Sequence, residues 1–585
     1  MRLLFQAFPF SCPVFPRAAL CSKPAVAAIA GCWLLGAVSA PAQNGSLAWA
    51  RRAGSQSIDE GIGLAVDTAG NVFTTGYFKL TATFGPGEPN ETILSSSNQD
   101  MFVAKHAPDG SLIWVRQAKG FLRGTAIGLD ASGSIYVLGY HNSQTKFNEG
   151  TPDEIVLNGL GQDAFLAKFD ATGKCLWAKT AGGNNNEFAN GLAVDAAGNS
   201  FVTGRYGSNP AVFGAGEANE TSLAGLGGNN GEDIFIAKYD TNGLLQWAKR
   251  AGGATGNNGA GIGVDAVGNC YVTGSFTGTS TFGPGEANET SLVGPSGGND
   301  EIFVAKFGPD GALIWVRPGQ GQGAHDRGNG IAVDAAGNCY TTGTYQTVAP
   351  FGGQLNPTQL TLGGQDDVFV AKHDTNGNLL WVKMAVGSGS QFALGIAIDP
   401  EGNSYITGYG SGLTFGAEEP GQVALGGVGA QDVFVAKFDP NGLTQWAKLA
   451  GGSSDDRGQG IAFGAGVVHV VGRFGLTATF GSGEANQTAL TSRGNLDIFV
   501  AKFLAGNIVL QSPTFAGYTL LPNGNPRLTL SGTGGGTYTI RRSSGIAPAT
   551  WTDLGEVTLD GAGQGFFEDT DEALTFPAFY QGTGE

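Results

Sequence analysis

Cysteine and histidine are scarce in this sequence, and neither is clustered. Among 585 residues there are six cysteines and five histidines, and no C-x-x-C pair occurs. Only Cys175, Cys270 and Cys339 lie beyond residue 42. An odd number of separated thiols argues against both a disulfide framework and a zinc site. We expect these three thiols to be buried in strands.

Charged side chains are also few, and basic ones are the minority. They make up 14% of the chain, with 32 Lys and Arg against 49 Asp and Glu, for a net charge of −17. Such a surface repels phosphate backbones, so we expect no nucleic-acid partner. The negative charge favours solubility but identifies no ligand.

Long apolar runs are missing after the first forty residues. The stretch Ala25–Ala40 is apolar, but it is shorter than the roughly 20 residues of a membrane span. A basic start precedes it, and a small-x-small cleavage site ends at Ala42. Residues 1–42 are therefore predicted to be a signal peptide, and the mature chain to be secreted or held at the outer cell surface without a transmembrane span. In the alternative, Ile29–Cys32 resembles a lipobox and Cys32 anchors a lipoprotein.

Glycine, by contrast, is abundant, and it points to turns. There are 99 glycines, about 17% of the chain against a usual level of roughly 7%. No G-x-y period is present, which excludes collagen, and Phe, Val, Ile and Leu are too frequent for disorder. Many short strands joined by glycine-rich turns fit this composition best.

Internal repeats of about 65 residues dominate residues 43–507. Each repeat carries the run Phe-x-Ala-Lys, and a tryptophan recurs with it. The runs begin at Phe102, Phe165, Phe235, Phe303, Phe369, Phe434 and Phe499. The tryptophans are Trp49, Trp114, Trp177, Trp247, Trp315, Trp381 and Trp446. Because each tryptophan has the same phase, we expect it to be a structural anchor.

One copy, Gly259–Arg317, predicts four strands. They are Gly261–Asp265, Cys270–Phe276, Glu301–Phe307 and Leu313–Val316, with a long loop between the second and third. Four antiparallel strands in sequence form one propeller blade. The chain starts with a lone fourth strand at Leu47–Trp49, and the last copy lacks one. We therefore predict an all-β protein with a seven-bladed β-propeller that the N-terminal strand closes.

The repeat resembles the bacterial β-propeller repeat (SBBP) family. Its pattern is D-x-F-x-A-K, then G-x-L-x-W, then G-I-A-V-D-x-x-G-N-x-Y-V-T-G, and Asp334–Asn338 and Asp367–Lys372 carry it well. The last copy departs from it, since Gly464 replaces the aspartate of the first turn. The resemblance implies a propeller outside the cytoplasm with no catalytic residues.

Residues 508–585 have lost the repeat. Alternating runs at Pro526–Leu530, Thr537–Arg541 and Gly563–Phe567 predict short strands. The segment is similar to small β-sandwich modules at the ends of secreted bacterial proteins. We expect a C-terminal β-sandwich-like domain that assists attachment or sorting.

The chemistry-bearing residues favour structure over catalysis. His106, His373 and His469 stand where other repeats have an aromatic residue, so we expect them to fill aromatic positions. The alternative is an exported enzyme, and no catalytic residue is assigned to it. Ala167–Trp177 resembles the tryptophan-docking motif of quinoprotein dehydrogenases, and Asp374–Trp381 resembles a sialidase Asp-box with one residue too many.

No cofactor is expected, and calcium is the one alternative. Asp374–Gly377 and Glu88–Glu91 offer oxygen ligands, but the twelve-residue loop ending in glutamate is missing. Turn formation is the favoured explanation of these residues. The N-x-T sequences at Asn90, Asn219 and Asn288 recur with the repeat, so we interpret them as loop structure.

The position seven residues before the first-turn aspartate varies from repeat to repeat, unlike its neighbours. It holds Glu60, Arg123, Phe188, Asn258, Arg327, Phe392 and Arg457. Propeller symmetry would place these side chains in a ring at the channel mouth, where a carboxylate, sulfate or acidic sugar could bind the arginines. Alternatively, Arg327 and Arg457 only pair with Asp326, Asp456 or other acids. We predict a monomeric, non-enzymatic binding or scaffold protein for an exterior glycan or protein.

Overall fold

The computed structural model describes most of the repeat region and six strands of the tail. The described ranges are 45–226, 232–253, 256–294, 298–319, 325–346, 350–351, 358–359, 363–417, 419, 421–427, 429, 431–506, 514–520, 526–531, 537–543, 552–558, 564–568 and 579–584. The signal peptide and the lipobox lie outside the described residues. Residues Pro41–Val509 form one compact unit, and the tail strands belong to another.

The strands of the first three repeats follow the lone strand β1 (Leu47–Gly54). The first repeat and the start of the second contain β2 (Glu60–Val66), β3 (Val72–Phe78), β4 (Thr81–Phe84), β5 (Thr92–Ser95), β6 (Asp100–His106) and β7 (Leu112–Leu129). The second continues with β8 (Ile135–Phe147), β9 (Ile155–Phe169) and β10 (Cys175–Ala181). The third has β11 (Glu187–Val194), β12 (Ser200–Tyr206), β13 (Ala211–Phe213), β14 (Thr221–Leu223), β15 (Asp233–Tyr239) and β16 (Leu245–Gly253).

The later repeats keep the same order of elements. The fourth has β17 (Asn258–Val264), β18 (Cys270–Phe276), β19 (Thr279–Phe282), β20 (Thr290–Val293), β21 (Glu301–Phe307) and β22 (Leu313–Pro318). The fifth has β23 (Arg327–Val333), β24 (Cys339–Tyr345), β25 (Pro350–Phe351), β26 (Thr358–Gln359), β27 (Asp367–His373) and β28 (Leu379–Val386). The sixth has β29 (Phe392–Ile398), β30 (Ser404–Gly410), β31 (Thr414–Phe415), β32 (Val423–Ala424), β33 (Asp432–Phe438) and β34 (Thr444–Gly452). The seventh has β35 (Arg457–Gly464), β36 (Val467–Phe474), β37 (Thr477–Phe480), β38 (Thr488–Thr491) and β39 (Asp497–Leu504).

The described chain is all-β, and each repeat folds into antiparallel strands in sequence order. In the fourth repeat, β17 pairs with β18, β18 with β21, and β21 with β22. Two of the four strands predicted there, Cys270–Phe276 and Glu301–Phe307, have the predicted bounds. All side chains of these two strands are buried, as expected for sheets that are covered on both faces.

The predicted long loop between the second and third strands is wrong in one respect, because it contains a hairpin. In the fourth repeat β19 pairs with β20, and β19 also pairs with β16, the fourth strand of the preceding repeat. The hairpins at β4, β31 and β37 join preceding fourth strands in the same way. The unpaired outer edge of a sheet is thereby covered by its neighbour.

A glutamate in the hairpin turn links the same two repeats. Glu286 accepts a hydrogen bond from Lys249 Nζ on β16 at 2.8 Å and another from Leu313 N on β22 at 2.6 Å. Glu484 repeats this geometry with Lys448 Nζ and Leu47 N. Glu286 and Glu484 therefore act as cross-links between fourth strands.

Each tryptophan of the fourth strand packs on the turn before the next repeat's fourth strand. Trp315 is 7% exposed, its Nε1 donates to Thr375 O at 3.0 Å, and its ring meets the Tyr271 ring edge-on. A Cβ added to Gly377 (φ 79°) would approach the Trp315 ring within 2.9 Å, so this turn requires glycine for its conformation and for its space. The tryptophans are thus contacts between repeats.

The two ends of the repeat region meet in the same way. Strand β1 pairs with β39, so Leu47–Gly54 serves as the fourth strand of the seventh repeat. Trp446 Nε1 donates to Ala505 O at 3.2 Å, and Gly45 (φ 75°) packs on the Trp446 ring. Two residues from opposite ends of the repeat region thus reproduce the turn that one continuous segment forms elsewhere.

His106, His373 and His469 and the three cysteines beyond residue 42 are core residues, as the sequence predicts, whereas His325 is exposed. His469 contacts the Trp49 ring with 5.8 Å between centroids, and burial lowers the pKa of His106 and His373 to about 4. The three cysteines beyond residue 42 are buried free thiols, and burial raises the pKa of Cys175 to about 12. Neutral imidazole and protonated thiol side chains can pack in an apolar interior.

The tail forms two three-stranded antiparallel sheets. Their strands are β40 (Thr514–Leu520), β41 (Pro526–Ser531), β42 (Thr537–Ser543), β43 (Thr552–Thr558), β44 (Gln564–Glu568) and β45 (Phe579–Gly584). The sheet orders are β40-β41-β44 and β43-β42-β45. Leu528 and Leu530 of the first sheet cluster with Ile540 of the second. The sandwich arrangement itself stays a prediction.

We predict that removal of the N-terminal strand destabilises the repeat region. Deletion of residues 44–53 exposes the edge of β39, removes Trp49 from the turn at Gly110, and should lower the free energy of unfolding by several kcal/mol. Urea denaturation followed by circular dichroism measures the loss. A midpoint equal to that of the full mature chain would contradict the structural role of β1.

We predict that Trp315→Ala lowers the free energy of unfolding by about 3–5 kcal/mol, because a buried aromatic ring is lost between two repeats. Trp315→Phe keeps most of the ring but loses the bond to Thr375 O, and should cost about 1 kcal/mol more than its volume change alone. Chemical denaturation of both variants gives the comparison. Equal, small losses would show that the ring is not an inter-repeat anchor.

Candidate functional site

The seven variable residues of the sequence analysis lie at or near the start of the first strands. These first strands contact one another in chain order, and β35 of the seventh repeat contacts β2 of the first. We call the seven residues the inner belt. Its members are Glu60, Arg123, Phe188, Asn258, Arg327, Phe392 and Arg457. Every first strand has a β-bulge two positions further on, for example between Gly61 and Gly63.

A second set of side chains lies beside the inner belt. It comprises the residue after the recurring glycine of each second strand, and we call it the second belt. Its members are Tyr77, Tyr140, Arg205, Ser275, Thr344, Tyr409 and Arg473. Each is the direct cross-strand partner of an inner-belt residue, as in the pairs Glu60–Tyr77 and Arg457–Arg473.

The two belts interdigitate between neighbouring repeats. The Arg123 guanidinium lies over the Tyr77 ring of the preceding repeat, 4.9 Å from its centroid. Phe188 meets Tyr140 edge-on with 5.1 Å between centroids. Arg457 lies 4.4 Å over Tyr409. Arg123, Phe188 and Arg457 therefore each pack on a second-belt residue of the preceding repeat.

These contacts form an arc of aromatic rings and guanidinium groups that includes the Glu60 carboxylate. The arc comprises Phe392, Tyr409, Arg457, Arg473, Glu60, Tyr77, Arg123, Tyr140, Phe188 and Arg205. Beyond Arg205 lies Glu232, at 3.2 Å from its guanidinium. Four arginines thus face two glutamates in a protein whose net charge is −17. Arginine stacked on aromatic rings is oriented before any ligand arrives.

Glu60 is the buried centre of the arc. Its carboxylate accepts hydrogen bonds from Arg123 Nη2 at 3.0 Å and from Gln459 Nε2 at 2.6 Å, and it pairs with Arg473 Nη1 at 3.0 Å. Its relative exposure is 2%. Burial raises the pKa of the neighbouring Tyr77 hydroxyl to about 12, and the Glu60 charge adds to that shift. Glu60 therefore holds two cations from two other repeats.

Arg457 has no such carboxylate partner. Its Nη2 donates to the neutral Gln431 Oε1 at 3.3 Å, and within the described ranges it forms no ion pair. The acid beside it in sequence, Asp456, accepts instead from the backbone N–H groups of Gly452 and Gly475. The predicted alternative, an Arg457–Asp456 pair, is therefore wrong.

The remaining part of the inner belt has different chemistry. Arg327 pairs with Asp300, with Nη2 at 2.6 Å and Nε at 2.7 Å, so the predicted neutralisation is correct in kind although Asp326 is not the partner. Asn258 Oδ1 accepts a hydrogen bond from Asn190 Nδ2. The arginines proposed from sequence therefore separate, and only Arg123 and Arg457 belong to the arc.

Two sets of residues that position the inner-belt side chains were not predicted from the sequence. The bulge residues Asn190 and Asn329 donate to backbone carbonyls of the next first strand, and the bulge residue Gln459 reaches Glu60. The second belt was missed too. Variation directly after the recurring glycine, seen in Tyr77 and Arg473, is the signal that could have found it.

The oxygen-rich turns considered for calcium are held by their own hydrogen bonds. Asp374 Oδ1 accepts from Asn376 N and Asn378 N, and its Oδ2 accepts from Asn378 Nδ2. Glu91 accepts from Gly87 N. Among the described residues no group of three or more His, Cys, Asp or Glu side chains is arranged to hold a metal ion.

Comparison with known proteins confirms the repeat family. The beta-propeller repeat (SBBP) model matches residues 48–77 and 387–413, so these two segments carry the repeat of that family. The described ranges also lack any helix with the length and apolarity that a membrane crossing requires.

Two curated relatives are long proteins. An uncharacterized WD repeat-containing protein of Acanthamoeba polyphaga mimivirus is 21% identical over 69% of this chain and 34% of its own length. Regulatory protein FlaEY of Caulobacter vibrioides is 25% identical over 63% of this chain and 38% of its own. This chain thus spans about a third of the length of these relatives. A solved puromycin hydrolase mutant matches with a TM-score of 0.33 and 9% identity, over 81% of this chain and 58% of that one, which is too distant to carry an argument.

Beside Phe188 lies a buried carboxyl pair whose titration is testable. Glu187 accepts from Gly183 N and Ser208 N, and burial raises its pKa to about 7, with the Asp163 charge contributing. Because the pKa of Glu187 is higher in the folded state than in the unfolded state, its protonation stabilises the fold at a pH below its ordinary pKa. This stabilisation is lost as the pH rises through about 7.

We therefore predict that Glu187→Gln gains stability relative to wild type as the pH rises from 5 to 8, by about 1–3 kcal/mol. Thermal melts of both proteins across this range give the difference, and the exposed Glu401→Gln serves as the control. A difference that stays constant with pH would show that the carboxyl group at Glu187 is ionised throughout.

Proposed function

We propose that the seven repeats form a closed seven-bladed β-propeller. Three observations support this architecture. Strand β1 completes the seventh repeat by pairing with β39, first strands contact one another from β2 through β35 and back to β2, and Trp446 has its turn built from Ala505 and Gly45. In such a ring the inner belt surrounds one mouth of the central channel.

On this scaffold the protein acts as a non-enzymatic binding or scaffold protein outside the cytoplasm. It takes an acidic glycan or protein ligand at the mouth, and its tail assists attachment or sorting. The arc from Phe392 to Arg205 carries this proposal, because guanidinium groups held on aromatic rings suit the recognition of carboxylate or sulfate groups. Rigid scaffolds commonly place binding residues at such strand and loop ends.

The alternative is a secreted propeller enzyme that uses the channel. In the described part of the arc the titratable groups are arginines, tyrosines and glutamates. Glu60 pairs with Arg123 and Arg473, and burial holds Tyr77 protonated. This pairing favours binding over acid–base chemistry. A hydrolase or dehydrogenase activity of the purified mature chain, lost on mutation of the arc, would favour the enzyme instead.

We predict that the variant Arg123→Ala, Arg327→Ala, Arg457→Ala binds uronic-acid and sulfated polysaccharides at least tenfold more weakly than wild type, because charge-assisted hydrogen bonds are lost. Glycan arrays followed by titration calorimetry measure the change. The variant Arg51→Ala, Arg116→Ala, Arg317→Ala removes the same charge from fourth strands and is the matched control. Undiminished binding by the first variant, with its melting point intact, would remove the mouth as the site.

A further inference from the structure

One arginine of the arc, Arg457, has no ion pair within the described ranges. Arg457 and Arg473 are direct cross-strand partners on β35 and β36. Like charges at directly opposite positions of an antiparallel pair are destabilising unless something neutralises them. Glu60 pairs with Arg473 at 3.0 Å, but it also serves Arg123, and Arg457 is left with the amide oxygen of Gln431.

The guanidinium groups of Arg123, Arg457 and Arg473 each have a nitrogen atom without a hydrogen-bond partner in the described ranges. Within the described ranges the Nε atoms of Arg123, Arg457 and Arg473 are buried and have no hydrogen-bond partner. The planes of Arg123 and Arg457 are fixed by the Tyr77 and Tyr409 rings. Because these Nε atoms are buried, an arriving anion would meet the outer nitrogen atoms of the guanidinium groups, and arginine binds carboxylate and sulfate oxygens through such planar donors.

We propose that Arg457, Arg473 and Arg123 form an oxyanion-binding site off the centre of the mouth, and that the Glu60 carboxylate is its internal counter-ion. The site lies at the meeting of the last and first repeats. Its ligand group is a carboxylate or sulfate that bonds Arg457 and shares the two arginines now held by Glu60. This deepens the proposed function, since it names the residues and the ligand chemistry of that surface.

Arg327 is excluded from this site by its geometry. It occupies the equivalent inner-belt position in the fifth repeat, but Asp300 takes two of its nitrogen atoms, and its side chain is 55% exposed. The inner belt therefore contains one arginine with the same phase and a different state of neutralisation. Arg327→Gln is the matched control for Arg457→Gln.

The test uses sodium sulfate as the probe, titrated into the mature chain by calorimetry at constant ionic strength. Glu60→Gln keeps the shape of the side chain but removes the competing charge, so sulfate affinity should rise about tenfold. Arg457→Gln and Arg473→Gln should each lower it about tenfold, and Arg327→Gln should leave it unchanged. Melting points confirm that each variant is folded.

Several results would overturn the site. They are no sulfate binding by wild type, weaker binding by Glu60→Gln, or equal losses in Arg327→Gln and Arg457→Gln. If Glu60→Gln does not fold, the difference in sulfate affinity between Arg457→Gln and Arg327→Gln tests the site.

A sulfated polysaccharide titrated into the same variants separates the oxyanion site from the proposed glycan-binding function. Sulfate binding with this variant pattern but no polysaccharide binding supports the site and refutes the glycan function. Polysaccharide binding that is unchanged in Arg457→Gln supports the glycan function and refutes the proposed oxyanion site.

Discussion

The packing of each fourth-strand tryptophan on a turn of the following repeat is the contact on which the rest of the structure depends. Trp315 covers Gly377 and bonds Thr375 O, neither of which belongs to its own repeat. A single repeat thus leaves its tryptophan ring uncovered, and a neighbouring repeat buries it. The last repeats in the chain therefore need an equivalent turn, which Ala505 and Gly45 provide for Trp446.

The outer strands of the repeats hold neighbouring repeats together, whereas the residues of the inner and second belts vary from repeat to repeat. The hairpin glutamates such as Glu286 and Glu484 bind two fourth strands each, so the outer sheets are joined by backbone pairing and by ion pairs. Because these contacts recur with the repeat, they leave the first residues of the inner strands free to differ. The bulge after each inner-belt residue separates its side chain from the regular ladder, which is how bulges re-aim side chains elsewhere.

Local patterns predicted the strands but not their long-range partners. Cys270–Phe276 and Glu301–Phe307 were predicted to the residue, since glycine-rich turns bound them and their apolar character is strong. The hairpin at Thr279–Phe282 was missed because four residues carry little periodicity, and its partner strand β16 lies in another repeat. Likewise the phase of the repeat located Arg327, but its partner Asp300 is 27 residues away. The position of a residue within the repeat predicts where along its strand the side chain lies. Its ion-pair partner depends on which residues the neighbouring repeat places beside it.

The inner belt and the second belt are asymmetric, because their residues differ from repeat to repeat. Seven identical repeats would present seven equivalent positions, and a like-charged ring would repel itself. Here Arg457 and Arg473 stand opposite each other while Glu60 lies in the next repeat, so charge balance is met across a boundary between repeats and only in part. Stacking on Tyr409 and Tyr77 holds the guanidinium planes of Arg457 and Arg123 in the folded protein, so an arriving anion would not have to order them. Among the described residues, Arg457 and Arg473 are like charges at directly opposite positions, and only Arg473 has a carboxylate partner, which is the physical bias that distinguishes the boundary between the last and first repeats from the other repeat boundaries.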